Sequence, residues 1–73
     1  MNIIDLLSNV KRDKMTVSMA AHIVYTNEDL CLCFRNILHY KEYYDPIYIK
    51  DIYLKEINAI KKEFDILNNV NNT

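Results

Sequence analysis

Glycine is absent from these 73 residues, and proline occurs once, at Pro46. Without glycine the chain lacks the usual residue for left-handed turns, two-residue hairpin turns and phosphate-cradling loops. The P-loop and the dinucleotide-binding fingerprint are excluded outright, because both are built on glycine. Helices joined by short Asn/Asp corners remain. Long apolar runs are also missing, so no membrane span is expected. Met1-Asn2-Ile3-Ile4-Asp5 has no basic stretch of the kind that opens a signal peptide. Neither sign of charge dominates: Lys+Arg number 9, Asp+Glu 10, and the net charge is −1. That balance offers no electrostatic case for nucleic acid. The two cysteines, Cys31 and Cys33, point in different directions on a helix, so a bond between them would be strained. Reduced thiols in a cytoplasmic protein are the expectation.

What is present is apolar. Hydrophobic residues make up 51% of the chain, too many for disorder at near-zero net charge. One domain is expected, over residues 1–69, with 70–73 as a frayed tail. At this length a single core is marginal, and association often supplies the rest. Heavy use of Asn, Ile, Lys and Tyr is the bias of an AT-rich genome, as in many bacteria and their phages.

Apolar spacing predicts an all-α bundle of three to four helices with a long C-terminal helix. Helix one runs from Ile3 to about Val10, capped by Asn2, with Ile3, Leu6, Leu7 and Val10 on one face. Helix two covers Thr16 to Val24, with Val17, Ala20 and Val24 as its stripe. Ala20 and Ala21 permit close approach by a neighbour, and Met15 and Met19 read as gap-fillers. Helix three starts at Thr26. Thr26 caps the N–H of Asp29, Asp29 reaches back to Thr26, and Tyr25 with Leu30 forms a hydrophobic staple. It continues to about Tyr44 with Leu30, Phe34 and Ile37 inward. Asp45-Pro46 ends it and starts helix four, which runs to about Asn68. Ile47-Tyr48-Ile49 alternates β-favouring residues, but the missing glycine turns and the helical continuation favour helix. Along helix four, Tyr53, Ile57, Ile60, Phe64 and Leu67 step by four, three, four and three. This stripe is a candidate homodimer seam or, equally, the core of the monomer.

Candidate chemistry is sparse. His22, Cys31, Cys33 and His39 are the available soft ligands, but no CxxC or HxxxH pair exists and the cysteines diverge, so no metal is expected. Carboxylates are scattered over solvated faces and the chain is short for a substrate pocket. No enzyme and no cofactor are expected. Tyrosine is the more suggestive residue type. Tyr40, Tyr43, Tyr44, Tyr48 and Tyr53 gather around the Asp45-Pro46 corner, bordered by Glu42, Asp45 and Asp51. Tyrosine combines a large apolar body with a polar tip and is enriched in protein interfaces. This segment is the candidate partner-binding surface, and its acids suit a basic partner.

The middle of the chain also has a helix-corner-helix layout. Ala20, Ile23, Tyr25, Thr26, Leu30, Phe34 and Arg35, read as Ala-x-x-Ile-x-Tyr-Thr-x-x-x-Leu-x-x-x-Phe-Arg, locally resemble the first helix-turn-helix of AraC-type regulators. The resemblance covers Ala20 to Arg35 and places Val24 where that family usually carries its turn glycine. It implies that Ala20 lies at the helix crossing, that Leu30 and Phe34 face the core, and that Asn27 and Arg35 approach DNA. By their charge, Lys11, Arg12 and Lys14 are the outlying contacts expected beside them.

Together these features point to a small non-catalytic protein–protein interaction module, a regulator or inhibitor of a larger protein of the phage or mobile-element kind. It is expected to be cytoplasmic, homodimeric and without membrane contact. The alternatives are a helix-turn-helix transcriptional regulator and a small helical chaperone or adaptor.

Overall fold

A computed structural model describes residues 1–39 and 46–71, excluding the side chains of 46–48 and 71. Among the described residues there are four helices and no strand: α1 (Ile3–Lys11), α2 (Val17–Thr26), α3 (Glu28–His39) and α4 (Pro46–Asn71). The radius of gyration is 11.5 Å, close to the roughly 11 Å of a compact chain of this length.

The start of α1 is made by its cap. The Oδ1 of Asn2 accepts from the N–H of Asp5 at 2.9 Å, satisfying a donor with no partner inside the helix. The helix ends in a Schellman motif. The N–H of Lys14 donates to the Asn9 carbonyl at 2.8 Å, and that of Asp13 to the Val10 carbonyl at 3.2 Å. The motif needs one left-handed residue, usually glycine. Here Asp13 fills that place, with φ 58. Aspartate tolerates the conformation better than most residues because its short side chain can bond locally.

The corner between α2 and α3 differs from the sequence expectation by one residue. Thr26 does not cap α3. It is the last residue of α2, and its Oγ1 donates back to the His22 carbonyl at 2.8 Å. Asn27 is the hinge. Its N–H donates to the Ile23 carbonyl at 3.1 Å, its carbonyl accepts from Cys31 at 2.8 Å, and its Oδ1 accepts from the N–H of Leu30 at 3.1 Å. One residue therefore closes α2 and opens α3. The Thr26–Asp29 box and the Tyr25–Leu30 staple are out of register with that cap. Asparagine outcompetes threonine here because it is at least as good a cap and leaves Thr26 free to extend α2.

Ile3, Leu6, Leu7 and Val10 of α1, Ala20, Ala21 and Val24 of α2, and Leu30, Phe34 and Ile37 of α3 form the core with Ile49, Ile57, Ile60 and Phe64 of α4. The fully buried alanines let α2 lie close along α4, its most extensive partner. Met15 packs on the core as expected, whereas Met19 is 55% exposed and fills no gap. Phe64 is the node of the aromatic packing. Its ring centroid lies 5.7 Å from that of Phe34 and 5.9 Å from that of Tyr25, the latter edge-on. Such pairs contribute about 0.5–1.5 kcal/mol each beyond the area they bury.

The helix-four stripe proves to be interior. Ile57, Ile60 and Phe64 are 2%, 0% and 3% exposed within the single chain, and Tyr53 and Leu67 pack half-buried against them. These residues are therefore not available as a homodimer seam. The short α1, α2 and α3 need an apolar partner, and α4 is the element long enough to cover all three. Beyond Asn68, α4 continues through Val70 to Asn71, into the stretch expected to fray.

One feature of α4 had no counterpart in the sequence pattern. At Tyr53 the backbone leaves helical values (φ −118, ψ 23), so α4 is two helical pieces joined at a kink. Kinks arise at proline, at Gly/Ser pairs, at π-bulges or where a side chain enters the backbone ladder. Pro46 is at the far N-terminal end, and glycine is absent. The side chain that meets the backbone at this point is that of Lys11. Its Nζ donates to the Ile52 carbonyl at 2.9 Å, linking residues 41 apart in the chain. The same ammonium lies 5.5 Å from the Tyr53 ring centroid.

Candidate interaction surface

The tyrosine-rich segment lies largely beyond description: Tyr40, Glu42, Tyr43, Tyr44 and Asp45 fall outside the described residues. Tyr48 is placed as part of α4 without its side chain, and Asp51 is exposed on the same helix.

The residues expected to approach DNA are all placed, and Lys11 is engaged with the Ile52 carbonyl of α4. Arg12 and Lys14 are exposed in the turn after α1. Arg35 is exposed on α3, with its guanidinium 5.9 Å from the Phe64 ring centroid. The side-chain oxygen of Asn27 is engaged in capping. The corner itself turns on one residue, where DNA-binding helix-turn-helix motifs use a turn of three or four. Val24, at the position of the family's turn glycine, is helical and fully buried inside α2. Exposed Glu28 and Asp29 occupy the first turn of α3, where they suit the helix dipole and repel phosphate.

For catalysis or metal binding the arrangement supplies little. Among the described residues no group of three or more His, Cys, Asp or Glu side chains is placed to hold a metal ion. His22 is exposed and its Nδ1 donates to the Ser18 carbonyl at 3.0 Å. Cys31 and Cys33 are half-buried thiols against the core. His39 sits six residues beyond Cys33 on α3, which separates them by roughly 9 Å along the axis. That is too far for a thiol–imidazole pair. No helix among the described residues is long and apolar enough to cross a membrane.

The structure does form one apolar recess that the sequence reading missed. The N-terminal end of α1 and the first turns of α3 come together around a groove of about 380 Å³, lined by Met1, Asn2, Ile3, Ile4, Asp29, Leu30 and Cys33. Ile3 and Leu30 form its buried floor, while Met1 and Ile4 stand on its exposed wall. Asp29 is the carboxylate in the lining, and Met1 brings the terminal ammonium to it. A sequence signal for it existed in Ile4, an apolar residue off the main face of α1. Alone it is unremarkable, since single exposed apolar residues are normal. Only the docking of α3 beside α1 turns it into part of a continuous apolar surface.

No family model, no curated protein and no solved structure matches this chain.

Proposed function

We propose that this protein is a small, non-catalytic protein–protein interaction module of the cytoplasm, which occupies a surface of a larger protein and so regulates or inhibits it, as small phage and mobile-element proteins do. The observation that carries the reading is the apolar groove between α1 and α3. Its lining is mostly apolar, and among the described residues no group is placed to hold a metal ion. The tyrosine-rich acidic segment, Tyr40, Glu42, Tyr43, Tyr44, Asp45, Tyr48 and Asp51, is the second contact region in this reading, and it suits a basic partner surface.

The test is affinity purification of the tagged chain from its native host, with and without nuclease. A protein recovered in stoichiometric amount after nuclease treatment, and lost when Tyr43, Tyr44 and Tyr48 are replaced by Ala without loss of helicity, supports the module. Recovery of DNA alone, abolished by nuclease and by raised salt, would replace it with the helix-turn-helix reading.

A further inference from the structure

The break at Tyr53 divides α4 into two pieces with unequal support. The long piece after the break sends Ile57, Ile60 and Phe64 into the core. In the short piece, residues 46–52, Ile49 is the one buried side chain among those described. Lys50 is half-buried, and Asp51 and Ile52 are exposed. A piece of about two turns has little stability of its own, because helices shorter than about 12–15 residues are marginal in water. What keeps it in place is tertiary contact.

Lys11 supplies the polar part of that contact. Its ammonium donates to the carbonyl of Ile52, the last residue before the break, at 2.9 Å. It also lies 5.5 Å from the ring centroid of Tyr53, the residue at the break. The tie therefore sits at the joint itself. Its base is firm, since Lys11 ends α1 and the Ile3, Leu6, Leu7 and Val10 face of that helix is buried. The joint also has room beside it. An open recess of about 550 Å³ is lined by Lys11, by Ile52 before the break, and by Leu54 and Glu56 after it. Close-packed interiors resist such displacement, whereas a joint facing open space does not. Hinges are a few element-terminal residues that absorb a change in φ and ψ, and Tyr53 already stands outside helical values.

We propose that residues 46–52 form a hinged arm, pivoting at Tyr53 and latched to α1 by Lys11. The arm opens while the core stays folded. Its purpose rests on the interaction-module reading: the arm carries Tyr48 and Asp51 of the proposed contact region. The latch fixes where that region is presented, and its release re-aims the region without unfolding the rest of the chain.

The test is native-state amide hydrogen exchange on the full chain, in water and in low urea. The amides of Lys50, Asp51 and Ile52 report on the arm, since helical geometry gives them acceptors inside it. Those of Ile60 and Phe64 report on the core. Arm amides are expected to exchange at least roughly tenfold faster than core amides after correction for intrinsic rates, with little dependence on urea. Lys11→Met should speed arm exchange roughly ten- to thirtyfold, the equivalent of one hydrogen bond and one cation–ring contact. Lys11→Arg should retain most of the protection. Lys55→Met, on the same recess, should leave arm exchange unchanged. Equal rates and equal urea dependence in arm and core would show that α4 opens only with the whole domain, and the arm is then refuted even if Lys11→Met fails to fold. An unaffected arm in Lys11→Met, or an equal effect from Lys55→Met, would remove the latch. None of these readouts involves a partner, so capture of a protein from the native host decides the module reading separately.

Discussion

Lys11→Met is the perturbation that tests the tertiary logic of α4 most directly. Methionine keeps the length and apolar stem of lysine and removes only the ammonium. That ammonium donates to the Ile52 carbonyl at 2.9 Å and sits 5.5 Å from the Tyr53 ring centroid. The hydrogen bond contributes about 1 kcal/mol net, and an exposed cation–π contact about 0.5–1 kcal/mol. Their sum, about 1.5–2 kcal/mol, is a large share of what a domain of this size has available. For 60–100 residues each kcal/mol moves the melting temperature by about 4–8 °C, so a fall of roughly 6–16 °C is expected. Thermal and urea denaturation followed by circular dichroism supply the measurement. Lys11→Arg keeps the charge and should retain most of the stability. A double-mutant cycle with Tyr53→Leu isolates the ring contact and should return a coupling of about 0.5–1 kcal/mol. If Lys11→Met leaves the midpoint unchanged, or if the coupling is zero, then the Lys11 contacts at the kink contribute nothing to stability and this reasoning is refuted.

The remaining expectations concern the corners and the core. Asn27→Ala should cost about 1 kcal/mol in urea denaturation through loss of the α3 cap, whereas Thr26→Ala should cost distinctly less; the reverse order would restore the cap to Thr26. At Asp13, which holds φ 58, Gly should be neutral or stabilising by up to about 1 kcal/mol, and Val should destabilise by about 1–2 kcal/mol. Equal stability of the two variants would show that the left-handed turn does not form. Phe64→Ala removes the ring that joins Tyr25, Phe34 and Arg35 and should cost about 3–5 kcal/mol. Ile66→Ala, two residues on but 55% exposed, should change the melting temperature little at any protein concentration, and a large concentration-dependent effect would reveal a dimer contact there.

Much of the helical layout was legible because its signals are local. Asn2 and Thr16 stand where a capping side chain must stand, and each accepts from the N–H three residues on, as the sequence implied for Asn2. The face of α1 reads directly from Ile3, Leu6, Leu7 and Val10, because 3.6-residue periodicity depends on nothing beyond the helix itself. The α2–α3 corner was placed within one residue, and the slip has a local cause too: threonine and asparagine are adjacent, both can cap, and only the hydrogen bonds choose between them. The candidate site was far less legible. The groove needs the ends of two helices about 25 residues apart in sequence, and neither end carries a mark of the other.

Composition and spacing alone determined that this protein is all-helical, where its first helix begins, and that phosphate-loop chemistry is excluded, because each follows from residue identity or from short-range backbone geometry. Tertiary structure decided the rest. The Tyr53–Leu67 stripe looked equally suited to a neighbour in the same chain or in another, and the cover it gives to α1, α2 and α3 made it core. The kink at Tyr53 is met by a lysine that arrives from the first helix. The apolar groove exists only where two helix N-termini meet. Hydrophobic burial is non-directional, so a pattern can show that a face must be covered, and only the packed chain shows what covers it.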